Sequence, residues 1–268
     1  MIEQSSERIR FLQFESLAVL PGFIHAFSTR SGGVSAAPFD SLNLGLHVGD
    51  DPATVRENRA RFGRAAGVDV AAFTVMEQVH GNRVARVAAG DRGRGAARRE
   101  DSVPGADALV TDVPGVPIVG LSADCAMVVL FAPDVRAIGI AHASWRGTAG
   151  NVAGAAVRAL AGHYGADPGR ILAGIGPAIG PCCYAVKGDV REAIGAAGVT
   201  ADAFQERSGR IYLDLATANR LQLRSAGLRE ENIQSSGLCT ACRGDWFYSH
   251  RRDAGRTGRM ALVAMLVP

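Results

Sequence analysis

The stretch SADCAMVVLFAPDVRAIGIAHASWRG, from Ser122 to Gly147, sets a thiol and an imidazole around two apolar runs. Cys125 precedes the first run and His142 closes the second. A tight turn centred on Asp134-Val135 pairs Phe131 with Ile138 and Met127 with His142. Cys125, two residues before Met127, then lies diagonal to His142, with Cα atoms about 7–8 Å apart and side chains within reach of one ion. A slip of one residue would send the two to opposite faces. The best third ligand is His80, in its own Gly/Asn turn between two strand-like runs of FTVMEQVHGNRVARV. A His₂Cys set with an open fourth position suits catalytic zinc, which activates a bound water near neutral pH. Asp124, or another carboxylate, could orient a ligand or carry a proton. Two other readings fit the same residues: a Cys125/His142 nucleophile–base pair without metal, and a buried cysteine with two satisfied histidines.

The elements that must position these residues alternate in type. RIRFLQFESL and GFIHAFSTR read as early strands. A helix follows in DPATVRENRARFGRAAG, with Asp51 as N-cap, Pro52 in the first turn and Gly67 as the stop. ADALVT and VPIVGLSA are apolar runs leading into the hairpin, and GTAGNVAGAAVRALAGHYG is an alanine-rich helix ending at Gly165. ILAGIGPAIGPCCYAV gives a strand running into a Gly/Pro turn. GDVREAIGAAG and LATANRLQLRSAG read as helices, and ALVAMLV as a closing strand. Strands mixed with helices, including a tight hairpin, predict a layered α/β fold with a mixed sheet. Residues 90–102, GDRGRGAARREDS, read as a solvated charged loop.

Composition excludes several function classes. With 268 residues, 47% hydrophobic, 33 glycines and 21% charged, the chain has ample material for a packed core and no disordered or coiled-coil bias. A net charge of +3 is too small to imply nucleic acid, and no apolar run is long enough for a membrane span. The charged N-terminus without an apolar region leads to the expectation of a cytoplasmic protein. Nothing in the sequence calls for an obligate protein partner.

Five cysteines, an odd number, argue against a disulfide framework. Cys239-x-x-Cys242 alone is a weak metal or redox signal, and Cys242 reads as incidental. Cys182-Cys183 follows a Gly/Pro turn and reads as pocket lining. A second metal site needs these two halves to meet.

QVHGNRV, ADALVT, SADCAMVVLFAP, AHASWRGT, GPAIGPCCYAV and RRDAGRTGRMALVAML, together with STRSGGVSAAPFDSLNLGLHVGDDPATVRENR, resemble the YfiH, or laccase-domain, family along nearly the whole chain. The resemblance implies a single three-layer α/β/α domain over residues 1–268. It implies zinc on His80, Cys125 and His142, the three residues reached by spacing, with copper able to substitute. It also implies purine nucleoside phosphorylase activity on nucleosides and phosphate, with adenosine deaminase and methylthioadenosine phosphorylase side activities. An amidohydrolase editing UDP-linked peptidoglycan precursors is the alternative. Copper-dependent polyphenol oxidation is disfavoured, because the trinuclear cluster needs about eight further histidines and only His25, His47, His163 and His250 remain. Candidate substrate contacts are Arg30, Asn43 and Arg146 for anion or ribose, and Phe39 and Trp145 for stacking on a base. The arginines of HRRDAGRTGR are expected to brace a sheet edge.

Overall fold

The apolar hairpin forms in the expected register. In the computed structural model, which describes all 268 residues, strands Ala126–Ala132 and Ala137–Ala143 pair antiparallel with Met127 opposite His142 and Phe131 opposite Ile138. Both strands are buried along their whole length, which explains their continuous apolar runs. Alternate residues face two different cores. Met127, Val129, Phe131, Ile138 and Ile140 point one way, and Val128, Leu130, Ala137 and Ala141 the other.

The hairpin is the middle of a six-stranded sheet ordered Ile233–Ser235, Leu172–Ile175, Ala126–Ala132, Ala137–Ala143, Ala108–Thr111, Val84–Arg86. A second six-stranded sheet runs Ile2–Ser6, Ile9–Gln13, Phe23–Ser28, Met260–Leu266, Ile118–Ser122, Thr74–Val75. Each mixes antiparallel with parallel pairs. The α/β class and mixed pairing therefore hold, and the β layer of the expected α/β/α arrangement is double. The two sheets meet through Phe23, Phe27, Leu262, Ala264, Val129 and Phe131, with Phe23 stacked on Phe131 at 4.7 Å. Helices Val152–Tyr164 and Leu215–Ser225 cover the hairpin's outer face, and helix Pro52–Ala66 covers the outer face of the second sheet. A small three-stranded sheet, Ala185–Val186, Arg210–Leu213 and Phe204–Arg207, adjoins the first helical layer. No helix is long and apolar enough to cross a membrane.

The cap chemistry behaves as read. The Asp51 side chain accepts from the Thr54 N–H, and Gly67 ends the helix at φ 70°, a left-handed conformation that glycine adopts without strain. The 90–102 loop departs from expectation. It folds back onto helix Pro52–Ala66, where buried Arg59 donates to the Gly95 and Ala96 carbonyls at 2.7 and 2.8 Å. A guanidinium deep in the fold needs several acceptors, and this loop supplies them.

His25 lies fully buried between the sheets, stacked between Phe14 and Phe23, and its Nε2 accepts from the Phe14 N–H at 2.8 Å. Burial holds its pKa down at about 4. Below the ordinary imidazole value the unfolded chain takes up a proton that the native state refuses, so stability falls as the pH drops from 6.5 towards 4. His25→Gln, which keeps an acceptor, is expected to flatten the pH dependence of urea unfolding by about 2 kcal/mol between pH 6.5 and 5. Parallel slopes in both proteins would refute this assignment.

Candidate metal centre

Three crossings of the chain between the sheets lie at the same end of the molecule, and two of them carry one ligand each. Residues 123–125 link strand Ile118–Ser122 of the second sheet to strand Ala126–Ala132 of the first, placing Cys125 in the turn. The segment 76–83 links Thr74–Val75 to Val84–Arg86 and carries His80. His142, near the end of its strand, faces the space between the sheets because it pairs with Met127. The ligating atoms of His80, Cys125 and His142 lie within 4.8 Å of one another. The two imidazoles meet edge to face at 5.1 Å between centroids.

The crossing that holds His80 is fixed from both sides. The Gln78 amide completes the edge of the neighbouring strand, donating to the Leu121 carbonyl and accepting from the Leu121 N–H, both at 2.7 Å. Beyond it, the fully buried Asp107 carboxylate accepts from the N–H groups of Val79 (3.1 Å), His80 (3.0 Å) and Gly81 (2.7 Å). The same carboxylate meets His142 Nδ1 at 2.9 Å. Asp107 thus orients one ligand by its ring and another by its backbone. With Nδ1 engaged, Nε2 of His142 is left to face the centre, the arrangement typical of a metal-bound histidine. His80 adopts φ 61°, a left-handed conformation uncommon for a side-chain-bearing residue, and these hydrogen bonds hold it there.

Electrostatics suit ligation. Burial favours a neutral Cys125, yet His142 and His80 outweigh it and bring the thiol down to about 6. Burial likewise opposes charge on His142, while Cys125 and Asp107 lift it to about 9. Burial raises the Asp107 pKa, but its bonds to His142 and the backbone amides hold it below the ordinary carboxylate value. A thiolate beside a protonated imidazole is a site that a cation enters by displacing that proton.

The three ligands lie in a cleft of about 490 Å³ whose walls include Arg99, Trp145, Arg146, Tyr184, Arg251 and Arg259. Burial and the nearby guanidiniums of Arg259, Arg99 and Arg59 hold His47, on the same wall, down to about 4. Arg146 lies over the Trp145 ring at 4.4 Å, and Arg251 over the Tyr184 ring at 4.9 Å. Aromatic faces beside cationic heads suit a flat ring attached to an anion.

Several sequence-derived candidates belong elsewhere. Arg30 spends its guanidinium on the carbonyls of Asp40 and Gly244 and on the Asp40 carboxylate, and lies over Tyr248. The Phe39 carbonyl accepts from the Tyr248 hydroxyl, and neither residue lines the cleft. Asn43 is fully buried; its amide donates to Gly45 and Asp50, and its carbonyl accepts from the N–H of Arg259. It therefore positions a cleft arginine without touching the cleft. Asp124 borders the cleft, but its carboxylate is held by the Thr240 hydroxyl at 2.6 Å and the Arg251 N–H at 2.7 Å. The carboxylate that orients a ligand is Asp107. Its signal in the sequence was an acid immediately before the apolar run of Ala108–Val110, which opens a strand buried along its whole length. Trp145 and Arg146 do line the cleft.

The HRRDAGRTGR arginines divide their work. Arg252 braces, donating to Thr240 and Phe247 carbonyls, while Arg251 and Arg259 reach the cleft. His47 and Arg99 carry no sequence signal, since only the fold brings them to the cleft.

Fold and cleft together define a mixed α/β protein with a metal-capable His₂Cys centre where its two sheets exchange the chain. The family model described as multi-copper polyphenol oxidoreductase laccase matches residues 24–267, and the chain belongs to this family. A purine nucleoside phosphorylase, YlmD, of Geobacillus stearothermophilus is 42% identical over 242 residues, covering 89% of this chain and 88% of that protein. The purine nucleoside phosphorylase YfiH of Escherichia coli is 39% identical over 241 residues, covering 90% and 92%. The crystal structure of YlmD from Geobacillus stearothermophilus superposes with a TM-score of 0.93 at 39% identity, covering 99% of this chain and 98% of the other.

The family's descriptive name does not decide the chemistry. The four histidines outside the centre do not assemble a second histidine cluster: the groups of three or more ligating side chains are His80/Cys125/His142 and a set of four cysteines. His25 is sealed in the core, so the histidines required for a trinuclear copper cluster are not gathered in this chain.

Proposed function

We propose that the chain is a zinc-dependent purine nucleoside phosphorylase acting in the cytoplasm, with adenosine deaminase and methylthioadenosine phosphorylase side activities. The observation that carries the proposal is a His₂Cys centre at the base of a cleft whose walls combine aromatic rings with arginines. Relatives named purine nucleoside phosphorylase, matching most of the chain at about 40% identity, support it.

His80, Cys125 and His142 would hold the zinc, which when bound would supply Lewis acidity. The chain's own groups do the positioning. Trp145 and Tyr184 offer faces for the base, while Arg99, Arg146, Arg251 and Arg259 supply positive charge for phosphate. A phosphate oxygen bonds to the sugar C1′ as the C1′–N9 bond breaks, and the electron pair leaves on the purine, which then takes up a proton. Fixing phosphate against C1′ lowers the entropic barrier, and guanidiniums offset charge on the entering group.

Incubation of the purified, zinc-loaded protein with adenosine, with and without phosphate, tests this directly. Adenine and ribose-1-phosphate are expected only where phosphate is present, with inosine as a minor, phosphate-independent product. Inosine alone would make the enzyme a deaminase. No turnover of any nucleoside by zinc-loaded protein would overturn the proposal and favour amide hydrolysis.

A further inference from the structure

The four cysteines outside the cleft come from segments far apart in sequence and converge on one point. Cys182 and Cys183 sit in the tight turn after strand Leu172–Ile175, where the N–H groups of Cys183 and Tyr184 both donate to the Gly180 carbonyl. Cys239 and Cys242 follow strand Ile233–Ser235. A short parallel bridge between Ala178 and Cys239 lays the two segments side by side. All four sulfurs then fall within 4.8 Å of one another, and Cys242 Sγ is 3.4 Å from both Cys182 Sγ and Cys183 Sγ. The Gly180 N–H donates to Cys239 Sγ at 3.3 Å.

We propose that Cys182, Cys183, Cys239 and Cys242 form a structural zinc site, separate from the His80/Cys125/His142 centre. Four thiolates around one tetrahedral zinc, at about 2.3 Å each, stand roughly 3.8 Å apart, a separation that falls between the 3.4 Å contacts of Cys242 and the 4.8 Å within which all four sulfurs lie. Ligands around a multi-iron sulfide cluster sit farther apart, because the cluster itself lies between them. Cys242 is equally close to two partners, so the geometry singles out no disulfide pair. A cation uses all four sulfurs at once. Two of the four, Cys182 and Cys242, are exposed and the others half-buried, so the ion has a route in. An amide N–H aimed at Cys239 Sγ is the kind of outer hydrogen bond that favours thiolate ligands.

The location gives the ion a purpose. Tyr184, one residue beyond Cys183, forms part of the cleft wall beneath Arg251. Thr240, next to Cys239, donates to the Asp124 carboxylate beside Cys125. A zinc here clamps the two segments that shape one side of the cleft, and it fills all four coordination positions with protein, leaving none for chemistry.

Zinc content read by elemental analysis tests the site independently of catalysis. Protein kept reduced, reconstituted with zinc and desalted is compared as wild type, Cys242→Ser, Cys182→Ser, Cys125→Ala and the Cys125→Ala/Cys242→Ser double variant. The four-cysteine site predicts that Cys242→Ser and Cys182→Ser each hold one equivalent less than wild type, and that Cys125→Ala retains the equivalent which the double variant loses. Cobalt substitution should give an intense sulfur-to-cobalt charge-transfer band in Cys125→Ala that is missing from the double variant. If the cleft centre binds no zinc, wild type and Cys125→Ala hold one equivalent each and the four-cysteine site still stands. Equal zinc in wild type and folded Cys242→Ser would overturn it. So would four free thiols in zinc-loaded Cys125→Ala, a disulfide among these cysteines in the reduced preparation, or iron with sulfide in place of zinc.

Discussion

Cys125→Ala is expected to lose both the zinc of the cleft centre and about 10³-fold in kcat/KM. A metal acting as a Lewis acid contributes several kcal/mol to a transition state, and about 4 kcal/mol corresponds to that factor. Cys125 lies in the turn between the two sheets and, with His80 and His142, forms the only group of ligating side chains inside the cleft. Its removal leaves two imidazoles, too few to hold the ion in competition with water and chelators. Zinc content and turnover, measured on the same samples, decide between ligand and nucleophile. If Cys125→Ala keeps its cleft zinc while turnover disappears, the thiol attacks substrate and the proposed ligand set is wrong. If zinc and turnover fall together, and His80→Ala behaves in the same way, Cys125 acts through the metal. The four-cysteine site must be counted separately, which the Cys242→Ser background makes possible.

Asp107→Asn is expected to weaken zinc binding by about 10–100-fold with the fold retained. The carboxylate serves four partners: three backbone N–H groups of the His80 turn and His142 Nδ1. An amide of the same shape has one acceptor oxygen and one donor nitrogen. Turning its nitrogen towards His142 demands an unprotonated Nδ1, which moves the ring proton to Nε2 and blocks the ligating atom. Turning it the other way sets donor against the backbone donors of residues 79–81. Either orientation strands buried polar groups, at a cost of about 1–3 kcal/mol. Chelator competition for zinc, beside thermal unfolding, separates the roles. A group that only stabilises the turn would lower the melting temperature while leaving zinc affinity intact, and that result would refute Asp107 as the positioning residue for His142. Excess zinc should restore part of the activity of Asp107→Asn and none of that of Cys125→Ala.

The ligand triad was accessible from sequence because local rules generate it. A two-strand hairpin with a tight turn has a register that can be counted, and counting from Asp134-Val135 places Met127 opposite His142 as found. Helix ends behaved in the same way, since Asp51, Pro52 and Gly67 act on the nearest turn of chain. The substrate contacts were less legible. Arg30, Phe39 and Asn43 lie in a Gly/Ser/Asn-rich segment that looked like a binding loop, yet their polar atoms are spent inside the fold. Loop composition records that the backbone needs hydrogen-bond partners. It does not record whether those partners are protein or ligand.

By itself the sequence determined the hairpin register, the ends of helix Pro52–Ala66, the mixed α/β class and the three residue types able to hold an ion. The run read as one helix from Gly147 to Gly165 is instead broken at left-handed Asn151 into Trp145–Ala149 and Val152–Tyr164. Tertiary structure decided that the strands form two sheets, because pairing such as Met260–Leu266 with Ile118–Ser122 joins segments more than a hundred residues apart. It also decided that the crossings between those sheets carry Cys125 and His80, and that Asp107 binds both histidine-bearing segments. The same long-range packing brought Cys182 and Cys183 to Cys239 and Cys242. Contacts of this kind carry no periodicity along the chain, since they arise from the faces that two sheets bury against each other, and a face is a property of the folded molecule.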